Sequence, residues 1–329
     1  MTVTRRKFLL TTGAVLLPAG LAGHGFGAQP ARPFMIGALT VSWGPTPAIV
    51  GLRDGLKALG YREDQDFVLG VRFTQGDATE LPAAARNLVK NGVDLIVTSA
   101  GGNAAKAALA ATQRIPIVFL GESDPVGRKL VNSFARPGGN ITGIADLEVD
   151  LAPKKLEIFR ELVPGLKRIV IVYDATNAEA VERLAAQRDA VRRLGLAIVE
   201  KPVRSEDEAR AAITGIRKAD GDGFFASRIL SLNIPGLMLD LALKQSIPTM
   251  FDEGFFVERG ALVSYSANTY ELGRQAARLV GKIMKGAKPA DIPVEQPTKF
   301  ELAVNLKTAA ALGIKIPNAI LLRADKVIE

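Results

Sequence analysis

A five-residue motif occurs twice and limits the folds open to this chain. Ile115 to Phe119 reads IPIVF, and Ile247 to Phe251 reads IPTMF, 132 residues later (247 minus 115). Three earlier pairs fall at nearly the same offset. Phe34–Leu39 matches Arg168–Tyr173, Ala58–Gly60 matches Arg193–Gly195, and Asp94–Val97 matches Gly223–Ala226. Four elements in one order at one spacing predict two lobes of the same architecture. A chain of 329 residues has room for both.

Between the matched strands the pattern changes from apolar runs to helical periodicity. Ile49, Leu52, Leu56 and Leu59 recur at spacings of three and four within 46–59. The first lobe reads as strand 34–42, helix 46–59, strand 67–74, helix 79–90, strand 94–98, helix 103–112 and strand 115–120, with a short strand at 141–144. The second lobe repeats the plan with strand 168–173, helix 178–194, strand 196–203, helix 206–218, strand 223–227, helix 235–245 and strand 247–251. Alternating strands and helices imply parallel sheets with helices on both faces, two Rossmann-like α/β lobes. The first crossing between lobes is expected near Asp146–Asp150, leading into helix 151–163. Strand 261–265 and helix 269–285 lie beyond the second repeat, so they are expected to return to the first lobe. The expected division is an N-terminal lobe of 33–145 plus 262–288 and a C-terminal lobe of 146–261 plus 289–329, joined by a multi-strand hinge.

Residues 1–27 form an address. Arg5, Arg6 and Lys7 precede an apolar stretch from Phe8 to Gly23 that is broken by Pro18, and Gly25–Gly27 offers a small-residue cleavage site near Ala28. About 16 residues is too short for a comfortable membrane span. Paired arginines ahead of Phe8 resemble the twin-arginine export signal, and a Sec signal remains the alternative. Either route leads to the periplasm.

Composition removes several chemistries. The chain has no cysteine and one histidine, His24, within the expected signal. Thiolate metal sites, disulfides and histidine-dependent catalysis are therefore not expected in the mature protein, and neither is a cofactor. The net charge of +8 becomes +5 once Arg5, Arg6 and Lys7 are removed (8 minus 3). These charges are spread along helix faces, so no nucleic-acid surface is expected.

Two parallel sheets facing one another make a cleft lined by the carboxyl ends of their strands. The candidate ligand residues follow from that topology. The first lobe supplies Ser42, Trp43, Ser99, Ala100, Gly101, Ser123 and Asp124. The second supplies Tyr173, Asp174, Ser227 and Asp252, with Tyr265 near the hinge. Hydroxyls and amides at 99–101, opening a helix, can hold a carboxylate. Asp124 or Asp252 can pair with an ammonium group, and Trp43 or Tyr173 can cover an apolar side chain. Each has a structural role open to it as well. The serines and aspartates can cap helices, Trp43 and Tyr265 can pack the hinge, and Gly101 can simply make a turn.

The runs GLRDGLKALGY (51–61), IPIVF (115–119), DPV (124–126), RPGGNITG (136–143), KGAKPAD (285–291), PVEQPTKFEL (293–302), NLKTA (305–309) and RADKVIE (323–329) carry a family resemblance over the whole mature chain. The chain resembles the substrate-binding proteins of ABC transporters often described as tryptophan/tyrosine-type, with the periplasmic-binding-protein type I fold. The resemblance implies a monomer that closes on a small ligand, an amino acid or similar carboxylate, and docks on a permease with its ATPase. It also implies that the loops at 42–43, 173–174 and 227–228 choose the ligand. Many such relatives are lipoproteins, and this chain has no cysteine to anchor a lipid. The alternatives are a ligand receptor that signals to a membrane sensor and a cleft hydrolase using Asp124 and Asp252. A sugar-responsive repressor would need a DNA-binding segment where 1–33 carries the export signal.

Overall fold

The structure is a computed structural model that describes residues 32–42, 44–99, 102–226 and 231–329. The expected signal, Trp43, Ala100, Gly101 and residues 227–230 lie outside the described residues.

The repeat is realised strand for strand. The first sheet contains β1 (Phe34–Thr40), β2 (Phe67–Phe73), β3 (Leu95–Ser99), β4 (Ile117–Glu122) and β5 (Ile141–Ala145), in the order β2-β1-β3-β4-β5 and parallel throughout. The second contains β6 (Arg168–Asp174), β7 (Ala197–Val203), β8 (Gly223–Ala226), β9 (Thr249–Phe251) and β10 (Val263–Ala267). Its order β7-β6-β8-β9-β10 is the same arrangement, extended by antiparallel β11 (Phe300–Asn305) and β12 (Lys326–Ile328).

Both sheets are covered on both faces, which is why their strands read as unbroken apolar runs. In the first sheet Ile36, Ala38, Leu95, Val97, Val118 and Leu120 point one way, against α1 (Pro47–Ala58) and α9 (Thr269–Met284). Leu39, Ile96, Ile117 and Phe119 point the other way, against α2 (Leu81–Lys90) and α3 (Gly102–Ala111). In the second sheet Ile169, Ile171 and Phe225 face α4 (Ala152–Leu162) and α5 (Ala178–Arg193). Val170, Val172 and Phe224 face α6 (Glu206–Gly215) and α7 (Ile234–Gln245). The short helices α8 (Gly254–Glu258), α10 (Leu306–Ala311) and α11 (Asn318–Leu321) complete the second lobe.

Helix starts follow local capping chemistry. Thr46 accepts from the Ile49 amide at α1, with Pro47 in the first turn. Asn177 caps α5, Ser205 caps α6 and Asn268 caps α9. Each satisfies an amide that the helix itself leaves unpaired.

Two boundaries differ from the sequence expectation. The strand expected at 261–265 in the first lobe is β10, Val263–Ala267, and it pairs with β9 and β11 in the second sheet. It is the fifth strand of the repeat, the counterpart of β5, and only the helix after it crosses back. In the same way β5 stays in the first sheet while α4 after it joins the second lobe. Residues 289–297, expected with the C-terminal lobe, lie against the first: Val294 donates to the Phe134 carbonyl, Glu295 to Gly143, and Ala145 to Glu295. Burial of Ile292 and Val294 in the first lobe holds that segment there. The lobes are thus joined by three crossings, after β5, after β10 and before β11. The Asn268 amide ties the last two together by donating to the Lys299 carbonyl at 3.0 Å.

Candidate ligand site at the interlobe face

The carboxyl ends of the two sheets meet. Ser123, following β4, accepts a hydrogen bond at 2.9 Å from Arg183 on α5, the helix that follows β6. Arg128, also after β4, reaches Glu182 on the same helix at 2.9 Å. The faces expected to line a cleft are therefore in contact beside the first crossing.

The Ser42 hydroxyl donates to the Gly44 carbonyl at 2.6 Å, closing the turn after β1. The Ser99 hydroxyl lies 3.5 Å from that of Thr46, so the ends of β3 and of α1 are brought together at the cleft. Trp43, Ala100, Gly101 and Ser227 lie outside the described residues. Asp124 caps no helix and turns into its own loop, accepting from the Gly127 amide at 2.8 Å. Asp174 does likewise, accepting from the Thr176 amide and hydroxyl at 2.8 and 2.7 Å. Tyr173 is half-buried against the second-lobe core, and Tyr265 stacks on Phe300 at 6.2 Å beside the crossings.

Asp252 was expected to meet an ammonium group, and it meets one from the protein. Lys155 on α4 donates to Asp252 Oδ1 at 2.7 Å and pairs with Glu148 of the first crossing. All three residues are at most 5 % exposed. Burial opposes the Lys155 charge, but Asp252 and Glu148 outweigh it and hold the ammonium above its ordinary pKa. Arg183 joins the same network through Asp146 at 3.2 Å, Glu179 at 3.0 Å and Glu148 at 3.5 Å. Burial opposes its charge too, and those carboxylates with Asp252 keep the guanidinium firmly protonated.

Sequence reasoning missed this network, although one sign of it was available. Ala152, Lys155, Leu156 and Phe159 form a single buried stripe on α4. A lysine on an apolar stripe must find carboxylates, because an unpaired buried ammonium is too costly.

Glu122 ends β4 beside this network and is 1 % exposed. Its partner is Arg128 Nε at 3.1 Å. Burial raises its pKa from 4.5 to about 7, against the pull of Arg128 and with help from Glu179 and Asp146. The folded protein therefore keeps a proton that the unfolded chain gives up above about pH 4.5. The stability tied to that proton is complete below pH 4.5 and is lost as pH rises to about 7, on the order of 3 kcal/mol in all. Melting temperature should fall between pH 5 and pH 8 in the wild type. Glu122→Gln should flatten that slope, and an unchanged slope would remove Glu122 as its source.

Two α/β lobes of one topology, joined by three crossings and meeting at their strand carboxyl ends, define the type I class of periplasmic binding folds. Residues 45–328 match the family described as ABC transporter substrate binding protein, and the chain belongs to that family. A tyrosine-binding protein of Clostridioides difficile (strain R20291) is 27 % identical over 267 residues, covering 80 % of this chain and 76 % of the relative. The crystal structure of an ABC domain in complex with L-Trp from Streptococcus pneumonia is similar with a TM-score of 0.82 at 27 % identity, covering 90 % of this chain and 100 % of that one. A conserved domain protein from Vibrio cholerae gives a TM-score of 0.81 at 29 % identity, with coverage of 90 % and 100 %.

Proposed function

We propose that this protein is the exported solute receptor of an ABC importer and that it closes on one amino acid with a large apolar side chain. The observation that carries the reading is the likeness, across both lobes, to a structure solved with L-Trp. The relative from Clostridioides difficile, described as tyrosine-binding, supports the same ligand class. The interlobe chemistry suits a zwitterion. Among the described residues, Asp146, Glu148, Glu179 and Asp252 gather around Lys155 and Arg183 at the strand ends, a surrounding of both signs that supports a zwitterionic ligand. In this reading backbone amides at the start of α3, which follows β3, receive the ligand carboxylate.

In this reading Ser42, Trp43, Ser99, Ala100, Gly101 and Ser227 supply the ligand contacts, with Tyr173 and Tyr265 as apolar cover. Ser123 and Asp252 act on the ligand through the ion-pair network, and Asp124 and Asp174 shape the loops. Residues 1–27 direct export and are removed, and the mature monomer delivers its ligand to a permease driven by an ATPase.

A thermal-shift panel of amino acids, sugars and dicarboxylates tests the ligand class. Saturation at one hundred times the dissociation constant stabilises the native state by about 2.7 kcal/mol. For lobes of this size that is a shift of roughly 5–10 °C. L-tryptophan or L-tyrosine should produce it. A shift confined to sugars or dicarboxylates would overturn the amino-acid reading.

A further inference from the structure

Each lobe sends one arginine into the other. Arg128 of the first lobe reaches Glu182 Oε2 on α5 at 2.9 Å. Arg183, the next residue on α5, reaches back to Ser123 Oγ of the first lobe at 2.9 Å and to Asp146 Oδ2 of the first crossing at 3.2 Å. The two bridges run in opposite directions from neighbouring positions on one helix. Both lie where β4, β5 and β6 end, beside the crossing at 146–148.

These contacts have the properties of a latch. The Arg183 side chain is 5 % exposed and that of Asp146 0 %, so their charges are shielded while the lobes touch. Opening would withdraw α5 from Ser123 and expose both arginines to water. Rehydration then offsets the lost pairing, because a buried ion pair gains little over its separated, solvated ions. Such a contact favours one discrete closed arrangement without locking it. A ligand with modest preference for the closed form can then tip the equilibrium. The pairs Glu122–Arg128 and Glu179–Arg183 stay within their own lobes, so they hold each arginine ready when the lobes part.

We propose that Arg128–Glu182 and Arg183–Ser123/Asp146 form a two-point interlobe clasp that sets the open–closed equilibrium. The clasp residues thereby tune ligand affinity as positioning residues, without touching the ligand. The affinity clause rests on the function proposed above, whereas the clasp itself rests on the contacts alone.

The absence of native cysteine allows a clean test. Gln113→Cys and Lys218→Cys place one exposed label on each lobe of the otherwise intact protein. Interlobe distance distributions are then measured by double electron–electron resonance, without ligand, in the wild-type background and with Glu182→Ala or Glu182→Gln. Glu182 has a side-chain exposure of 36 %, so its replacement should leave the fold intact, and unchanged melting would verify this. Both variants should shift the distribution toward longer distances. Apparent affinity for L-tryptophan should weaken roughly fivefold with unaltered stoichiometry. Distributions identical to the wild type in both variants would overturn the clasp. A shifted distribution in a protein that binds neither L-tryptophan nor L-tyrosine would uphold the clasp and refute the ligand assignment instead.

Discussion

Lys155→Met is expected to cost about 3–5 kcal/mol of folding stability, the usual penalty for removing one member of a buried ion pair. The side chain sits on the core-facing stripe of α4 and neutralises Asp252 and Glu148, which are 2 % and 5 % exposed. Methionine fills the volume, so the loss isolates charge from packing. Among the described residues Arg183, with Nη1 3.5 Å from Glu148 Oε2, remains as a neighbouring cation but already serves Asp146 and Glu179. The drop in melting temperature should be roughly 10 °C. Adding Glu148→Gln and Asp252→Asn to Lys155→Met should recover most of the loss, because neither position then carries the charge that Lys155 balanced. A single variant that melts like the wild type would show that the buried triad is not needed for the fold.

Gly273→Ala is the second large effect, and here two principles compete over its sign. Alanine in a helix interior gains about 1 kcal/mol over glycine from propensity alone. At this position, however, an added Cβ would lie 1.9 Å from the Ala48 carbonyl oxygen on α1. The relation is mutual, since a Cβ on Gly51 would lie 1.9 Å from the Tyr270 carbonyl oxygen, and one on Gly55 2.7 Å from the Ala277 Cβ. The helices α1 and α9 touch backbone to backbone, and Tyr270 fastens them further by donating to Asp54 at 2.8 Å. Neither carbonyl can swing aside as a flexible side chain could, so the helices must separate. The cost should reach or exceed the upper end of the roughly 1–3 kcal/mol typical of overpacking. Urea unfolding should show a lower midpoint for Gly273→Ala and for Gly51→Ala. A raised midpoint would mean that propensity wins and the seam is looser than described. The same contact explains why a run beginning GLRDG is distinctive: its two glycines form the seat for a helix that returns from the other lobe.

The repeat made the architecture legible. Matching 115–119 to 247–251 predicts two lobes of one architecture, and the order β2-β1-β3-β4-β5 recurs as β7-β6-β8-β9-β10. The fifth pair escaped notice because Ile141–Ala145 reads ITGIA and Val263–Ala267 reads VSYSA, with no shared pattern beyond small size. That gap moved the expected crossing to the wrong side of β10. The helix α8 and the strand β12 span five and three residues, too few for a period to register.

At the site, topology indicated which loops converge, and the lobes do meet at Ser123. It could not indicate which charges pair across them. In sequence Asp252 offers itself to a ligand because Lys155, which pairs with it, lies 97 residues away on the helix that follows the first crossing. Asp124 and Asp174 present the same residue type at a strand end but turn inward to their own loops. Only side-chain geometry separates these cases.

If the interlobe face takes a single amino acid, calorimetric titration of the purified protein with L-tryptophan and with L-tyrosine should show saturable binding of at least one of them, at one ligand per chain, with the negative heat-capacity change that marks burial of apolar surface. Absence of heat with both, across several temperatures and in protein confirmed free of carried-over ligand, would contradict it.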